Sequence, residues 1–133
     1  DAFVANHGSL GGFVRVWSRG KVTDRQIIDH IGGIDGIEMA LDKATACRVF
    51  EMPPDREGDV AVVSRHDVCI GASAGNHDLT GLKGHRLRTH GGVSEAKVPF
   101  IVSRPLNDAY KIKAASQTLK SYQIFDFAIN GTL

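Results

Sequence analysis

Residues 12–64, GFVRVWSRGKVTDRQIIDHIGGIDGIEMALDKATACRVFEMPPDREGDVAVVS, decide the predicted fold because two kinds of hydrophobic spacing alternate along them. Three segments have the apolar pattern of β-strands, and they lie near residues 13–17, 36–41 and 59–64. Between them, Thr23 and Asp24 favour the start of one helix, and residues 43–50 favour a second. The order strand, helix, strand, helix, strand predicts a compact α+β unit.

The second half of the chain has a different character. Residues 66–92 are rich in Gly and His and poor in large aliphatic side chains. Residues 98–102, VPFIV, predict a further strand, with its proline near the start. Asn107 or Asp108 is a suitable cap for one long helix to about Asn130. The apolar residues that we expect to contact a core from this helix are Ile112, Ala115, Leu119, Tyr122 and Ile129.

The composition limits the class of protein. With 133 residues, 42% of them apolar and 23% charged, the chain has the size of one globular domain or a large part of one. Its net charge of +1 argues against a polyanion-binding surface, so no nucleic-acid partner is expected. No apolar run is long enough for a membrane span, and no signal peptide is recognisable. The chain starts at Asp1 in an apolar run, and we expect it to be cut from a longer protein.

The two cysteines and the absence of three common motifs limit the kinds of site that we expect in this chain. Cys47 and Cys69 have no CxxC partner, which favours two reduced structural thiols and a reducing compartment, here the cytoplasm. The glycine-rich stretches match neither a GxxxxGK[ST] nor a GxGxxG motif, and no GxSxG motif occurs. A phosphate-cradling loop and a serine nucleophile of the elbow type are therefore not expected.

Histidine is the residue type that stands out as a candidate for chemistry, because it binds metals and transfers protons near neutral pH. Five of the six histidines lie outside the predicted helices: His7, His66, His77, His85 and His90. The adjacent pairs His66-Asp67 and His77-Asp78 favour turns rather than ligands. His90 differs because Gly91 and Gly92 follow it, and paired glycines permit a close backbone approach that a site needs. A glycine turn that leads into a strand explains the same pattern.

The segment LRTHGGVSEAKVPFIV at residues 87–102 resembles a signature of the alkaline phosphatase superfamily. Four further segments are similar to the C-terminal portion of the phosphonoacetate hydrolase family within it: DAFVANHGSLGGFVRVW, EMPPDREGDVAVVSRHDVCIG, NHDLTGLKGHRLRTHGGVSE and IFDFAING. The resemblance covers essentially the whole chain. It implies that residues 1–65 are mostly a cap-like α+β unit. Residues 66–133 would then be the C-terminal part of the metal-binding core domain.

The resemblance also implies a metal site. The family holds two zinc ions, and of its ligands the late histidine alone has a counterpart here, His90. The nucleophilic Thr and the carboxylate ligands have none, so the resemblance assigns no catalytic residue to this chain. Asn6-His7 lies where an Asp-His pair would be sought, but a neutral amide does not supply the charge of a carboxylate. We therefore leave His7 out of the site.

The implied activity of the intact enzyme is the hydrolysis of phosphonoacetate, a small anionic phosphonate, to acetate and phosphate. The chain by itself is expected to be inactive, and a homodimer remains open. The basic residues Lys83, His85, Arg86 and Arg88 would either steer the anionic substrate or form a solvated loop. Two alternatives stay open: another phosphatase, phosphodiesterase or phosphomutase of the superfamily, and a non-catalytic interaction module without a metal.

Overall fold

The computed structural model describes residues 11–71, 73, 75, 80, 84 and 90–133. The chain forms two compact units, the first ending at Ala96 and the second comprising Lys97–Leu133. The boundary predicted after residue 65 is a different one, because it divides the cap-like unit from the core domain of the family. That boundary stays a prediction. Within the described ranges, no helix is both long enough and apolar enough to cross a bilayer.

The first unit is built on a three-stranded antiparallel sheet. In chain order, its strands are β1 (Phe13–Val16), β2 (Ile37–Asp42) and β3 (Val60–Ser64). The strand β3 lies in the centre, where Val63 is the partner of Phe13 on one side and of Met39 on the other. Every residue of β3 is buried, as its continuous apolar run predicts. The three predicted strands are confirmed, and with them the predicted mixture of helix and strand.

Two helices alternate with these strands, and both begin at a side-chain cap. They are α1 (Asp24–Gly32) and α2 (Lys43–Phe50). At the start of α1, Thr23 Oγ1 accepts the Gln26 N–H at 3.2 Å, and Gln26 Oε1 accepts the Thr23 N–H at 2.9 Å. At the start of α2, Asp42 Oδ1 accepts the Thr45 N–H at 2.9 Å. This backbone hydrogen bond to the charged form lowers the pKa of the Asp42 carboxyl.

A buried carboxylate lies beside β1. Glu57 is 3% exposed, and its Oε1 atom lies 3.0 Å from Arg15 Nε and accepts the Gly58 N–H at 3.0 Å. The Arg15 guanidinium also lies 5.1 Å from the centre of the Phe13 ring. The ion pair and the backbone donor offset part of the cost of burying this charge at Oε1, whereas Oε2 is buried without a hydrogen-bond partner among the described residues.

The second unit is organised around one aromatic side chain. Its helices are α3 (Asp108–Ser116) and α4 (Ile124–Asn130). Phe127 of α4 is completely buried, and its ring meets those of Phe100 and Tyr110 edge-on at centroid distances of 5.1 and 5.0 Å. This cluster joins α3, α4 and the segment before them.

A polar network lies next to the aromatic cluster. Asp126 accepts hydrogen bonds from Tyr110 Oη at 2.7 Å, Lys113 Nζ at 2.7 Å and Asn130 Nδ2 at 2.9 Å. The hydrogen bond from Lys113, followed by those from Asn130 and Tyr110, holds the pKa of the Asp126 carboxyl well below its usual range. The same bonds to Asp126 raise the pKa values of Tyr110 and Lys113.

The single long helix predicted for residues 107–130 is wrong. The chain leaves the helical conformation after Ser116, and Gln117 is extended at φ −150° and ψ 159°. A 3₁₀ turn at Ser121–Gln123 then precedes α4, although Gly131 does end the last helix as predicted. Three of the residues expected to contact a core, Ile112, Tyr122 and Ile129, are 69, 67 and 77% exposed. Their helical spacing is real, but within the second unit they have no surface to pack against.

The strand predicted at residues 98–102 is also absent. No strand is formed there, and Val98 and Ile101 are 63 and 78% exposed. A strand exists where another backbone accepts and donates its hydrogen bonds, and none of the three strands in the described part of the chain does so for this segment.

Candidate functional site

His90 is held at the start of the sheet by its backbone. The Gly12 N–H, immediately before β1, donates to the His90 carbonyl oxygen at 2.7 Å. Gly91 follows with φ +90°, a conformation that favours glycine. A Cβ atom built on Gly12 would lie only 2.8 Å from Gly92 N and 2.9 Å from Gly92 Cα. The two backbones therefore approach closely, as the paired glycines predict.

The chain after His90 is fixed by a local turn. Residues Val93–Glu95 form a 3₁₀ helix, and the Glu95 N–H donates to the Gly92 carbonyl at 3.1 Å. In return, Glu95 Oε2 accepts the Gly92 N–H at 2.9 Å. Both backbone groups of Gly92 thus have partners within the same turn, which limits how far the segment that carries His90 can move.

The other side of the contact is tied to the central strand. The Gly12 carbonyl accepts the Ser64 N–H at 2.9 Å, and the Gly11 carbonyl accepts the Ile70 N–H at 2.9 Å. Ser64 is buried, and its hydroxyl donates to the Val68 carbonyl at 2.6 Å. Gly11 and Gly12, immediately before β1, are therefore held by hydrogen bonds on the side of β3, and Gly12 in turn binds the His90 carbonyl.

The side chain of His90 lies at the surface. His90 is exposed, and its ring atoms Cε1 and Nδ1 lie 3.7 and 3.8 Å from the position that a Cβ atom on Gly11 would occupy. A neutral imidazole is among the commonest zinc ligands, and this one combines a fixed backbone with a ring that solvent reaches. Its surroundings fit the role of a metal ligand.

His90 does not make a metal site by itself. Among the residues that the structure describes, no group of three or more His, Cys, Asp or Glu side chains is arranged to hold a metal ion. A catalytic zinc ion generally has three protein ligands. The described donors therefore fit one ligand position of a zinc site, and the remaining ligands would have to come from elsewhere.

The other predicted candidates fall into two groups. His66 Nδ1 lies 2.7 Å from Asp67 Oδ1, with both side chains exposed and Asp67 in a left-handed turn at φ +75°, as the turn interpretation predicts. Cys47 and Cys69 are free thiols. The remaining candidates lie outside the described residues, namely His7, His77, Lys83, His85, Arg86 and Arg88.

Two residues of the arrangement were missed in the sequence. Gly12 is not among the candidates from the sequence, although a Gly11-Gly12 pair directly before a strand is a signal of close backbone approach. Glu95 had no recognisable signal, because its role depends on the turn that returns its carboxylate to Gly92.

The chain was compared with known protein families and structures. No family model matches it. Two crystal structures of phosphonoacetate hydrolase from Sinorhizobium meliloti 1021, one with phosphonoformate and one with phosphonoacetate, match it at a TM-score of 0.67 and 29% sequence identity. Each match covers 98% of this chain, which spans 30% of the length of the matched chain. In sequence and in structure, the chain is therefore similar to a portion of phosphonoacetate hydrolase.

Proposed function

We propose that this chain is the C-terminal portion of a zinc-dependent phosphonoacetate hydrolase, and that His90 supplies one of the zinc ligands. The observation that carries the proposal is the presentation of His90. Its carbonyl is anchored at 2.7 Å by Gly12, and its imidazole is exposed beside Gly11. The likeness to an enzyme solved with phosphonoacetate and phosphonoformate supports the assignment of the substrate class.

The proposed reaction breaks the carbon–phosphorus bond of phosphonoacetate. Water supplies the oxygen that phosphorus gains and the proton that carbon gains, so the products are phosphate and acetate. Zinc ions at such a site supply Lewis-acid stabilisation of the negative charge on the phosphoryl group. His90 contributes a neutral ring nitrogen as donor, and its other ring nitrogen needs an acceptor that fixes the ring orientation.

The family likeness supports an assignment of each part of the chain to a part of the enzyme. Residues 1–65 would be mostly the cap-like unit, and the small antiparallel sheet of β1, β2 and β3 supports this assignment. Residues 66–133 would belong to the metal-binding core. The basic residues Lys83, His85, Arg86 and Arg88 would raise the local concentration of the anionic phosphonate by electrostatic attraction. The two free thiols are consistent with a cytoplasmic enzyme.

The test compares two exposed histidines in the intact enzyme that contains this chain. His90→Ala should remove a zinc ligand and most phosphonoacetate turnover, whereas His66→Ala, which alters only a surface turn, should leave both unchanged. Zinc content per protein and acetate release are measured at one pH and one zinc concentration. If His90→Ala retains the zinc content and the turnover of the wild type, the proposed function of His90 is wrong.

A further inference from the structure

We propose that the start of β1 positions His90 for metal binding, and that Gly12 and Glu95 are the residues on which this positioning depends. The inference rests on the proposed function, since it concerns the histidine assigned there as a ligand. It adds two positioning residues that make no contact with the metal or the substrate themselves.

Gly12 has no space for a side chain. The atoms within 3.0 Å of a Cβ atom on Gly12 are Gly92 N and Gly92 Cα, both of them backbone. Backbone atoms cannot rotate away as the end of a flexible side chain can. The Gly12 carbonyl accepts the Ser64 N–H at 2.9 Å, so the Gly12 backbone is tied to β3. A methyl group at Gly12 must therefore displace the segment of Gly92.

A displacement of Gly92 also moves His90. Gly92 lies two residues after His90, and the Gly12 N–H donates directly to the His90 carbonyl at 2.7 Å. Gly91, the residue between them, lies close to Phe13, since its Cβ position is 3.2 Å from Phe13 Cβ, so there is little space beside Phe13 for the segment to move into. Relief of the overlap requires a shift of about 0.5 Å, which is the tolerance within which functional groups must be held.

Glu95 is a second support of the segment that carries His90. Its Oε2 atom accepts the Gly92 N–H at 2.9 Å, and its own N–H returns to the Gly92 carbonyl at 3.1 Å. Glu95 is exposed, so a change of its side chain leaves no cavity. Loss of the carboxylate releases the Gly92 N–H to solvent and loosens the turn that follows His90.

The experiment measures metal binding without turnover, in the intact protein. Zinc affinity is determined by competition with a chromophoric chelator, and the visible spectrum of the Co²⁺-substituted protein reports the ligand geometry. Gly12→Ala should weaken zinc binding about 10–100-fold, the usual cost of losing a group that orients a ligand, and should alter the Co²⁺ spectrum. If folded Gly12→Ala protein has the wild-type zinc affinity and Co²⁺ spectrum, the proposal is overturned.

Gly58→Ala is the matched control for a purely structural effect. A Cβ atom on Gly58 would lie 2.8 Å from the Val16 carbonyl oxygen, so the overlap is again with backbone, but at the other end of β1. The Gly58→Ala substitution should lower the midpoint of thermal unfolding without a change in zinc affinity or in the Co²⁺ spectrum. An equal loss of zinc affinity in both variants would reduce Gly12 to a stability residue and would also overturn the proposal.

A second pair of variants keeps the test decisive if Gly12→Ala does not fold. Glu95→Ala should weaken zinc binding, and Glu95→Gln should restore it, because an amide oxygen accepts the Gly92 N–H as a carboxylate oxygen does. Wild-type affinity in Glu95→Ala would contradict the proposal. His90→Ala distinguishes a failure of the proposed function from a failure of the positioning by Gly12 and Glu95. If it leaves zinc affinity unchanged, the proposed function fails. If it alone weakens binding, only the positioning by Gly12 and Glu95 fails.

Discussion

The two units of the chain bury their apolar residues to very different extents. In the first unit, Val60, Ala61 and Val63 of the central strand are completely buried, and Val62 is 3% exposed. In the second unit, Phe127 is the one large apolar side chain with no exposure among the residues described. Large apolar side chains of the second unit that are more than 60% exposed include Val98, Ile101, Ile112, Tyr122, Phe125, Ile129 and Leu133.

The first unit has packing partners for its apolar residues within its own sheet. Each strand of the first unit has a neighbour in the same sheet, so its apolar face and its backbone groups are satisfied locally. The second unit has 37 residues, Lys97–Leu133, and a segment of that size rarely buries enough surface to be stable alone. We infer that the first unit is the more stable of the two.

The largest effect is expected from a buried charge in the central strand. Val63→Asp places a carboxylate between Phe13 and Met39 at a position with no exposure, and the nearby Arg15 guanidinium is already paired with Glu57. The cost of an unpaired buried charge exceeds the total stability of a typical domain, about 5–15 kcal/mol, unless the group is neutralised. We expect loss of the folded first unit, seen as loss of dispersed amide signals in NMR spectra.

Val98→Asp is the matched variant in the second unit. Val98 is 63% exposed, so the same substitution should change the free energy of unfolding by only about 0.5 kcal/mol or less. Comparable losses from the two variants would contradict the contrast between the units.

The next largest effect concerns the single aromatic core of the second unit. Phe127→Ala removes the ring that contacts Phe100 and Tyr110, and truncation of a buried Phe costs about 3–5 kcal/mol. We expect the second unit to unfold while the sheet of the first unit is retained. Hydrogen exchange of the amides of α3 and of β3 distinguishes the two outcomes.

Phe125→Ala controls for the loss of an aromatic ring from the same helix. Phe125 is 71% exposed, so its truncation should leave exchange in α3 and β3 close to that of the wild type. A Phe127→Ala protein with unchanged exchange in α3 would show that the buried ring does not hold the second unit together.

The same contrast explains which parts of the fold were predictable. The strands β1, β2 and β3 pair with one another, so the alternation of residues near 13–17 and the apolar run near 60–63 correctly indicate structure. Residues 98–102 have an equally strong apolar pattern but no strand that pairs with them in the described part of the chain. Local patterns report propensity, whereas a strand also requires a partner, which a pattern does not reveal.

The candidate site was predictable only at its centre. The sequence THGG indicates His90 because glycines follow it, and the family resemblance, which the same segment carries, implies that His90 is a metal ligand. The supports of His90 were not foreseen, because Gly12 is separated from it by 78 positions in the sequence and meets it only through the folded sheet. A glycine pair before a strand signals that some backbone comes close, but a single sequence does not show which distant segment it is.

A smaller effect is expected from the helix cap of the first unit. Thr23 caps α1 through a hydrogen bond from Gln26 N–H, and loss of such a cap costs about 1 kcal/mol. Thr23→Ala should lower the free energy of unfolding of the first unit by this amount in urea titrations. Thr118→Ala, an exposed threonine outside any helix in the second unit, is the control and should have no measurable effect. If both substitutions lower the free energy of unfolding equally, the Thr23 side chain does not stabilise α1 as a cap.

The smallest effect at neutral pH, and the most specific, is expected from Asp126→Asn in the second unit. The side chains of Asp126 and Lys113 are 39 and 38% exposed, so solvent screens much of their attraction. The hydrogen bonds from Lys113, Asn130 and Tyr110 lower the pKa of Asp126 relative to the unfolded chain, where the pKa of an Asp is about 3.9.

The sign of the pH dependence follows from this lowered pKa. The contribution of Asp126 to stability is fully present above the unfolded pKa, and it is lost as the pH falls through the folded one, because the unfolded chain then binds the proton more readily. The second unit of the wild type should therefore lose stability as the pH falls below about 4, whereas Asp126→Asn should show a shallower loss over the same range.

Asp108→Asn, which alters the exposed ion pair with Lys111, is the control and should retain the wild-type profile. The profiles are measured as unfolding midpoints between neutral and acidic pH, with hydrogen exchange in α3 reporting on the second unit. If Asp126→Asn has the same acid profile as the wild type, the network around Asp126 does not link α3 to α4, and Phe127 alone must hold the second unit.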